Sequence, residues 1–171
     1  MHRFVKASFL IAALALLVVT TTTFAGNDDV TLEGVDLGTH VYGPEVEAAD
    51  LEGKVVVYEY WGDRCPPCIR AIPHVVELQA EYGSDKLVVV ANQVWTQDTD
   101  AAKNAWINAG GSEAITVINH GGLDGAQVTG VPHSFIFSHE GELLWHGHPM
   151  RMDEPLAQAI AALEADAPAQ N

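Results

Sequence analysis

Basic residues are scarce in this sequence: eight Lys and Arg stand against 23 Asp and Glu, a formal net charge of −15. Neutralising a phosphate backbone takes clustered Lys and Arg, so nucleic acid is excluded as a partner. An anionic membrane surface would repel the chain for the same reason. Cysteine is scarcer still, at two. Two thiols cannot build a multi-bridge secreted scaffold, nor the four-thiolate zinc site of a ribbon. Long apolar runs are also missing. The uncharged stretch 9–19 is about half of the ~20 residues that span a bilayer. Hydrophobic residues at 48% with 18% charged still suit a packed core, which excludes a wholly disordered chain. Whatever the two cysteines do, they do as one pair.

Residues 1–25 read as an export signal. Arg3 and Lys6 make a positive n-region, 9–19 an apolar core, and Thr23-Phe24-Ala25 a small-residue cleavage site before Gly26. Extended through 20–23, the apolar run would instead make a marginal membrane anchor. No cysteine stands at the cleavage site, which excludes a lipoprotein. Cleavage leaves six basic against 23 acidic residues over 146. Export, to the periplasm in a Gram-negative cell, places the cysteines where disulfides persist. The remainder, 26–171, reads as a single domain with a loose lead-in at 26–31 and a frayed tail from about 166.

The run 55–60, β-branched and aromatic after the turn Leu51-Glu-Gly-Lys54, predicts a buried strand with cover on both faces. A helix follows over 65–82. Pro66 and Pro67 suit its first turn, Pro73 should kink it, and Gly83 should cap it. Further strands are expected at 87–90, extending towards 94, and at 115–118. Between them a short helix capped by Asp98 or Asp100 runs to 106–109. After a Gly-rich loop, 120–130, the runs 134–137 and 143–145 form a hairpin around His139-Glu-Gly141. Asp153-Glu-Pro155 opens a last helix with a Leu156, Ile160, Leu163 stripe. The alternation predicts one α/β sandwich with a mixed sheet.

The segment Trp61-Gly-Asp-Arg-Cys65-Pro-Pro-Cys68 carries the chemistry. A disulfide closing so short a loop contributes roughly 2 kcal/mol, against about 3 for a 15-residue loop, so it is a poor staple. The spacing favours reversible exchange instead. Cys65 falls at a helix amino end, where unpaired N–H groups and the dipole stabilise a thiolate, and Arg64 adds positive charge. Cys68, one turn on and less exposed, can resolve a mixed disulfide on Cys65. A structural disulfide, or half of a zinc or copper site, are the competing readings of the pair. A peroxidase reading is disfavoured, because Tyr58 and Gly62 stand where a Pro-x-x-x-Thr-x-x-Cys pattern needs Pro and Thr.

With Gly53-Lys-Val-Val-Val, Trp61-Gly, Cys65-Pro-Pro-Cys68, Pro73, Gly130-Val-Pro132 and a hairpin ending at Gly147, the chain resembles the thioredoxin superfamily. Within it, the resemblance is to the exported TlpA/ResA-like thiol–disulfide oxidoreductases, over about 51–149. The resemblance implies a three-layer sandwich, a central mixed sheet flanked by helices, with a helix–strand insertion between the CxxC helix and the cis-proline strand. It implies that Pro132 follows a cis bond and lies against the cysteines, and that Glu59 is a buried carboxylate moving protons for the resolving cysteine. Desolvation would raise its pKa towards neutrality. Alternatively, Glu59 sits on a partly exposed strand and pairs with Lys54 or Lys86. Trp61, Arg64, Val131 and His133 are the expected substrate-docking residues. Protein disulfides or dithiols are the expected partners of a monomer needing no cofactor beyond Cys65–Cys68, with a membrane-bound electron donor for a reductase. Two departures stand out: Arg64 replaces the usual Trp, and Ala71 replaces the Glu of ResA-like members, which weakens a haem-maturation role.

His133 could supply a cationic imidazole near Cys65, or face solvent as an ordinary strand residue. His146-Gly-His148-Pro-Met150-Arg-Met152 alternates His and Met at period two. Extended, these four side chains would face one way, and imidazole with thioether suits Cu(I). A copper metallochaperone using the cysteines and these residues is therefore the alternative function, and a polar surface turn the plainer account of the segment.

Overall fold

Seven consecutive residues, Val55–Trp61, form a strand buried along its whole length, because their β-branched and aromatic side chains fill both faces of a pleated surface. The computed structural model describes residues 30–167. The expected export signal, most of the lead-in and the last four residues lie outside them. In chain order the elements are β1 (Thr39–Tyr42), α1 (Ala48–Leu51), β2 (Val55–Trp61), α2 (Pro66–Tyr82), β3 (Leu87–Gln93), α3 (Thr99–Asn108), β4 (Thr116–Asn119), β5 (His133–Phe137), β6 (Leu143–Gly147), a 3-10 turn (Pro149–Arg151) and α4 (Asp153–Asp166).

The strands make one mixed sheet in the order β1-β4-β3-β2-β5-β6. Strand β2 is central: β3 runs parallel on one side, Trp61 opposite Gln93, and β5 antiparallel on the other, Tyr60 opposite His133. This register fixes the site. The carboxyl end of β2 meets the end of β3 and the start of β5, and the chain leaves it directly into α2. Between α2 and β5 come β3, α3 and β4, a helix–strand unit beside the core pairing.

Helix α2 begins with Pro66 and Pro67, whose missing or unpaired donors cost nothing in a first turn. It continues through Pro73, and Gly83 (φ 76°) closes it. Ile72, Val75 and Leu78 of α2 pack with Val57, Val89 and Ile136 of the sheet, Trp106 of α3, and Leu156 and Ile160 of α4. Burying each such aliphatic side chain stabilises the fold by about 1.5–3 kcal/mol. All three long helices thus cover one face. The other face carries Val56, Tyr58, Tyr60, Val88, Val90 and Phe135. Its cover is α1, the incoming chain and the 120–132 loop rather than long helices.

Two expectations change here. The lead-in is not loose where it is described: Val30 is buried, and Thr31 bridges to Glu142. Strand β1, absent from the sequence reading, pairs antiparallel with β4 at the sheet edge. Tyr60 Oη accepts from Leu123 N–H of the Gly-rich loop at 2.9 Å, and Tyr58 Oη donates to Asp36 C=O of the incoming chain at 3.1 Å.

Candidate active site

Where β2 ends, Gly62-Asp63-Arg64 turns the chain and Gly62 C=O accepts the Cys65 N–H at 3.1 Å. Cys65 is the N-cap of α2, in extended conformation, and its Sγ accepts the Cys68 N–H at 3.3 Å. A helix N-terminus presents unpaired donors and positive dipole there, so a thiolate at Cys65 is favoured over one at Cys68. The two cysteines form a disulfide with Cα atoms 5.2 Å apart. Cys65 is 2% exposed and Cys68 fully buried. Of the two, only Cys65 keeps any exposure.

From across the molecule, Val131 brings its carbonyl oxygen to 3.7 Å from Cys65 Sγ. The Val131–Pro132 peptide bond is cis, and Pro132 is buried. The β2–β5 ladder ends at Tyr60 and His133, leaving the half-buried Val131 outside the sheet, beside the disulfide.

Glu59 is the anomaly of β2. It is 1% exposed, and neither carboxyl oxygen has a hydrogen-bond partner. It shares its sheet face with Val57 and Trp61, which cluster with Cys65 and Cys68. Directly opposite on β5 is Ser134, fully buried, its hydroxyl also without a partner. Burial pushes the Glu59 carboxyl up to about 8, because the charged form loses its hydration with nothing in exchange. The alternative pairing with a lysine does not occur: Lys86 Nζ binds Glu164 at 2.6 Å, and Glu59 makes no ion pair among the described residues.

Other sequence-selected residues land differently. Trp61, expected on the docking surface, is fully buried and packs on Trp106 with ring centroids 5.5 Å apart. The alternation of β2 turns its indole under α2, so it supports the loop from below. Arg64 is 77% exposed and approaches the Asp63 carboxylate at 3.5 Å. His133 stacks on His146 and shares a 3.1 Å hydrogen bond with it. Burial, then the neighbouring His146 and His148 imidazoles, push His133 below its usual range. It is neutral near pH 7 and supplies no cation to Cys65.

The extended His–Met run on which the copper reading rested does not form. Strand β6 ends at Gly147, and His148 caps the 3-10 turn, accepting from Met150 N–H at 3.3 Å. Met150 is 51% exposed while Met152 is fully buried in the core. Proline at 149 breaks the extended run, so the four side chains do not share a face.

Sequence reasoning missed Asp63, Ser134, Gln93 and Trp95. Asp63, 9% exposed at its side chain, sits in the active-site turn with Oδ1 unpartnered. Ser134 and Gln93 carried a faint signal, as polar residues within or just beyond buried apolar runs. Trp95 carried none.

No protein-family model matches the chain. Among curated proteins, it is 28% identical over 104 residues to the thiol-disulfide oxidoreductase ResA of Halalkalibacterium halodurans, covering 60% of this chain and 58% of that protein. The chain thus spans about three fifths of that relative's length. It is 26% identical over 149 residues to the ResA of Bacillus subtilis, covering 82% of each. A thiol-disulfide isomerase from Corynebacterium glutamicum has the same fold, with a TM-score of 0.66 at 18% identity over 82% of this chain and 99% of that one. So does a secreted Mycobacterium tuberculosis disulfide oxidoreductase homologous to E. coli DsbE, at TM-score 0.57 and 21% identity, covering 77% and 96%.

Proposed function

We propose that this chain, similar to ResA proteins and thioredoxin-like in fold, is an exported thiol–disulfide oxidoreductase acting on protein substrates as a reductase. The carrying observation is the Cys65–Cys68 disulfide at the head of α2 with Cys65 Sγ beside Val131.

In the reducing direction the Cys65 thiolate attacks one sulfur of a substrate disulfide. A Cys65–substrate bond forms, and the other substrate sulfur leaves as a thiolate and takes a proton. Cys68 loses its proton to the Glu59 carboxylate and attacks Cys65 Sγ, forming Cys65–Cys68 and releasing the second substrate thiolate. Two electrons pass to the substrate. They are restored by a dithiol donor, proposed as membrane-bound, whose own cysteines become a disulfide. In reverse, Glu59 held protonated near neutrality gives its proton to the departing Cys68 thiolate.

Val131, outside the ladder, offers main-chain groups to an extended substrate segment, with His133 and the exposed Arg64 at its margins. Arg64 and Arg70 on an otherwise acidic body favour approach by acidic segments. The export signal at 1–25 sets the compartment, and the domain 26–171 acts as a monomer.

The test is catalysed reduction of insulin disulfides by purified, metal-free protein with dithiothreitol as donor. Activity that Cys65→Ser abolishes supports the reading. Inactivity together with tight stoichiometric Cu(I) binding would replace it with a metallochaperone.

A further inference from the structure

Trp95 exposes 49% of its surface, and its position is built rather than incidental. Gln93, fully buried at the end of β3, accepts the N–H groups of both Trp95 and Thr96. The Gln93 amide donates to Thr96 C=O at 2.8 Å and to Asn119 Oδ1 at 3.1 Å. Asn119 Nδ2 and His120 Nε2 reach the same Thr96 carbonyl, at 3.3 and 2.9 Å. The turn bearing the indole is thereby fixed from beneath.

The indole itself lies against Gly62, where any Cβ would collide with the ring. Gly62 in turn accepts the Cys65 N–H. One glycine therefore separates an exposed aromatic surface from the backbone of the outer cysteine. Because β3 and β5 lie on opposite sides of β2, Trp95 and Val131 stand on opposite flanks of the Cys65 loop.

We propose that Trp95 is a specificity-determining docking residue, receiving an apolar side chain from an extended substrate segment that crosses Cys65 from the Val131 side. The inference rests on the thiol–disulfide exchange proposed above. An aromatic anchor on a rigid seat costs little side-chain entropy on binding and is a frequent centre of binding energy. A second copy of the chain is a poorer occupant: a stable dimer buries about 1,200–2,000 Å² in total, far more than one indole offers, and like charges of −15 repel. Continuity with the cysteine loop points to the substrate.

The experiment uses two disulfide-linked peptides that differ only in carrying Leu or Ser two positions from the reactive cysteine, with hydroxyethyl disulfide as a substrate too small to reach Trp95. The wild type should prefer the Leu peptide by about tenfold in kcat/KM, mostly through KM. Trp95→Ala should bring the two peptides to within about twofold while leaving hydroxyethyl disulfide turnover unchanged. Trp95→Phe should keep most of the preference. Unchanged preference in Trp95→Ala overturns the inference, as does an equal loss on all three substrates, which would mark a structural role. A wild type that turns over hydroxyethyl disulfide without distinguishing the peptides also overturns it. A wild type inactive on all three contradicts the exchange reading on which it rests.

Discussion

The sulfur of Cys65 lies 3.7 Å from the carbonyl oxygen of Val131, across 66 residues of chain. Two strands produce that contact: β2 delivers Cys65 to the head of α2, and β5, antiparallel to β2, starts just beyond Val131. The Val131 main chain therefore borders the sulfur that exchange would use. The outer cysteine thus has a main-chain carbonyl beside it, and the β2 face that clusters with both cysteines carries the buried Glu59.

That acid should be visible in the kinetics. Burial raises Glu59 to about 8, and on the proposed proton path only its ionised form can accept the Cys68 proton, so resolution of the mixed disulfide should quicken as pH rises through about 8. Stopped-flow measurement of that step should show Glu59→Gln slower by about 10–100-fold above pH 8, with the ionisation gone from the profile. An unchanged profile would remove Glu59 from the proton path.

The same carboxyl should mark stability. Unfolded, Glu59 ionises near 4.5; folded, it holds its proton to about 8. Between these values the folded state binds one proton more than the unfolded. Its contribution is complete below pH 4.5 and falls by about 1.4 kcal/mol per pH unit until about pH 8. Guanidinium melts across this window should show a flatter pH dependence for Glu59→Gln than for the wild type. Parallel curves would mean that the carboxyl is hydrated in solution.

Redox direction follows from which form of the pair the fold favours. His133 is neutral, and Arg64 is solvent-exposed beside Asp63, so neither adds strongly to the helix N-terminus in stabilising a reduced Cys65. Loop closure by the disulfide contributes roughly 2 kcal/mol. The oxidised protein should therefore be the more stable, by about 1–2 kcal/mol in denaturant melts with and without reductant. A reduced form that is more stable would mark an oxidant instead.

At the sheet edge, Gly43 adopts φ +75°, and a Cβ there would run into the Ile115 carbonyl. Gly43→Ala should cost about 2–4 kcal/mol in melting experiments by prying β1 from β4. Exchange activity of the folded variant should stay within twofold, since β1 is remote from β2 in the strand order.

What the sequence revealed and what it hid divide along physical lines. Strand β2 and helix α2 were legible because continuous apolarity and a 3.6-residue stripe respond directly to burial, and the cysteines gained their meaning from lying between them. Strand β1 was hidden because its half-exposed Thr-His-Val-Tyr owes its pairing to β4, distant in sequence. Trp61 was misplaced and Trp95 passed over for one reason: an aromatic letter does not say which way it points. Strand alternation turned Trp61 inward, and the Gln93 clasp turned Trp95 outward. The His-Met alternation looked like a ligand set only while the segment was taken as extended, which Pro149 prevents. Glu59 could be picked out as polar in an apolar strand, but its isolation from both lysines is a tertiary fact.

The central claim, that Cys65 exchanges disulfides with protein partners and Cys68 resolves them, is tested most directly by trapping. Cys68→Ser, expressed in a host that exports the chain, should accumulate discrete mixed disulfides on Cys65 that reductant releases. The Cys65→Ser/Cys68→Ser double variant should accumulate none. Equal recovery from the two variants, or no adduct on Cys65, would contradict the account.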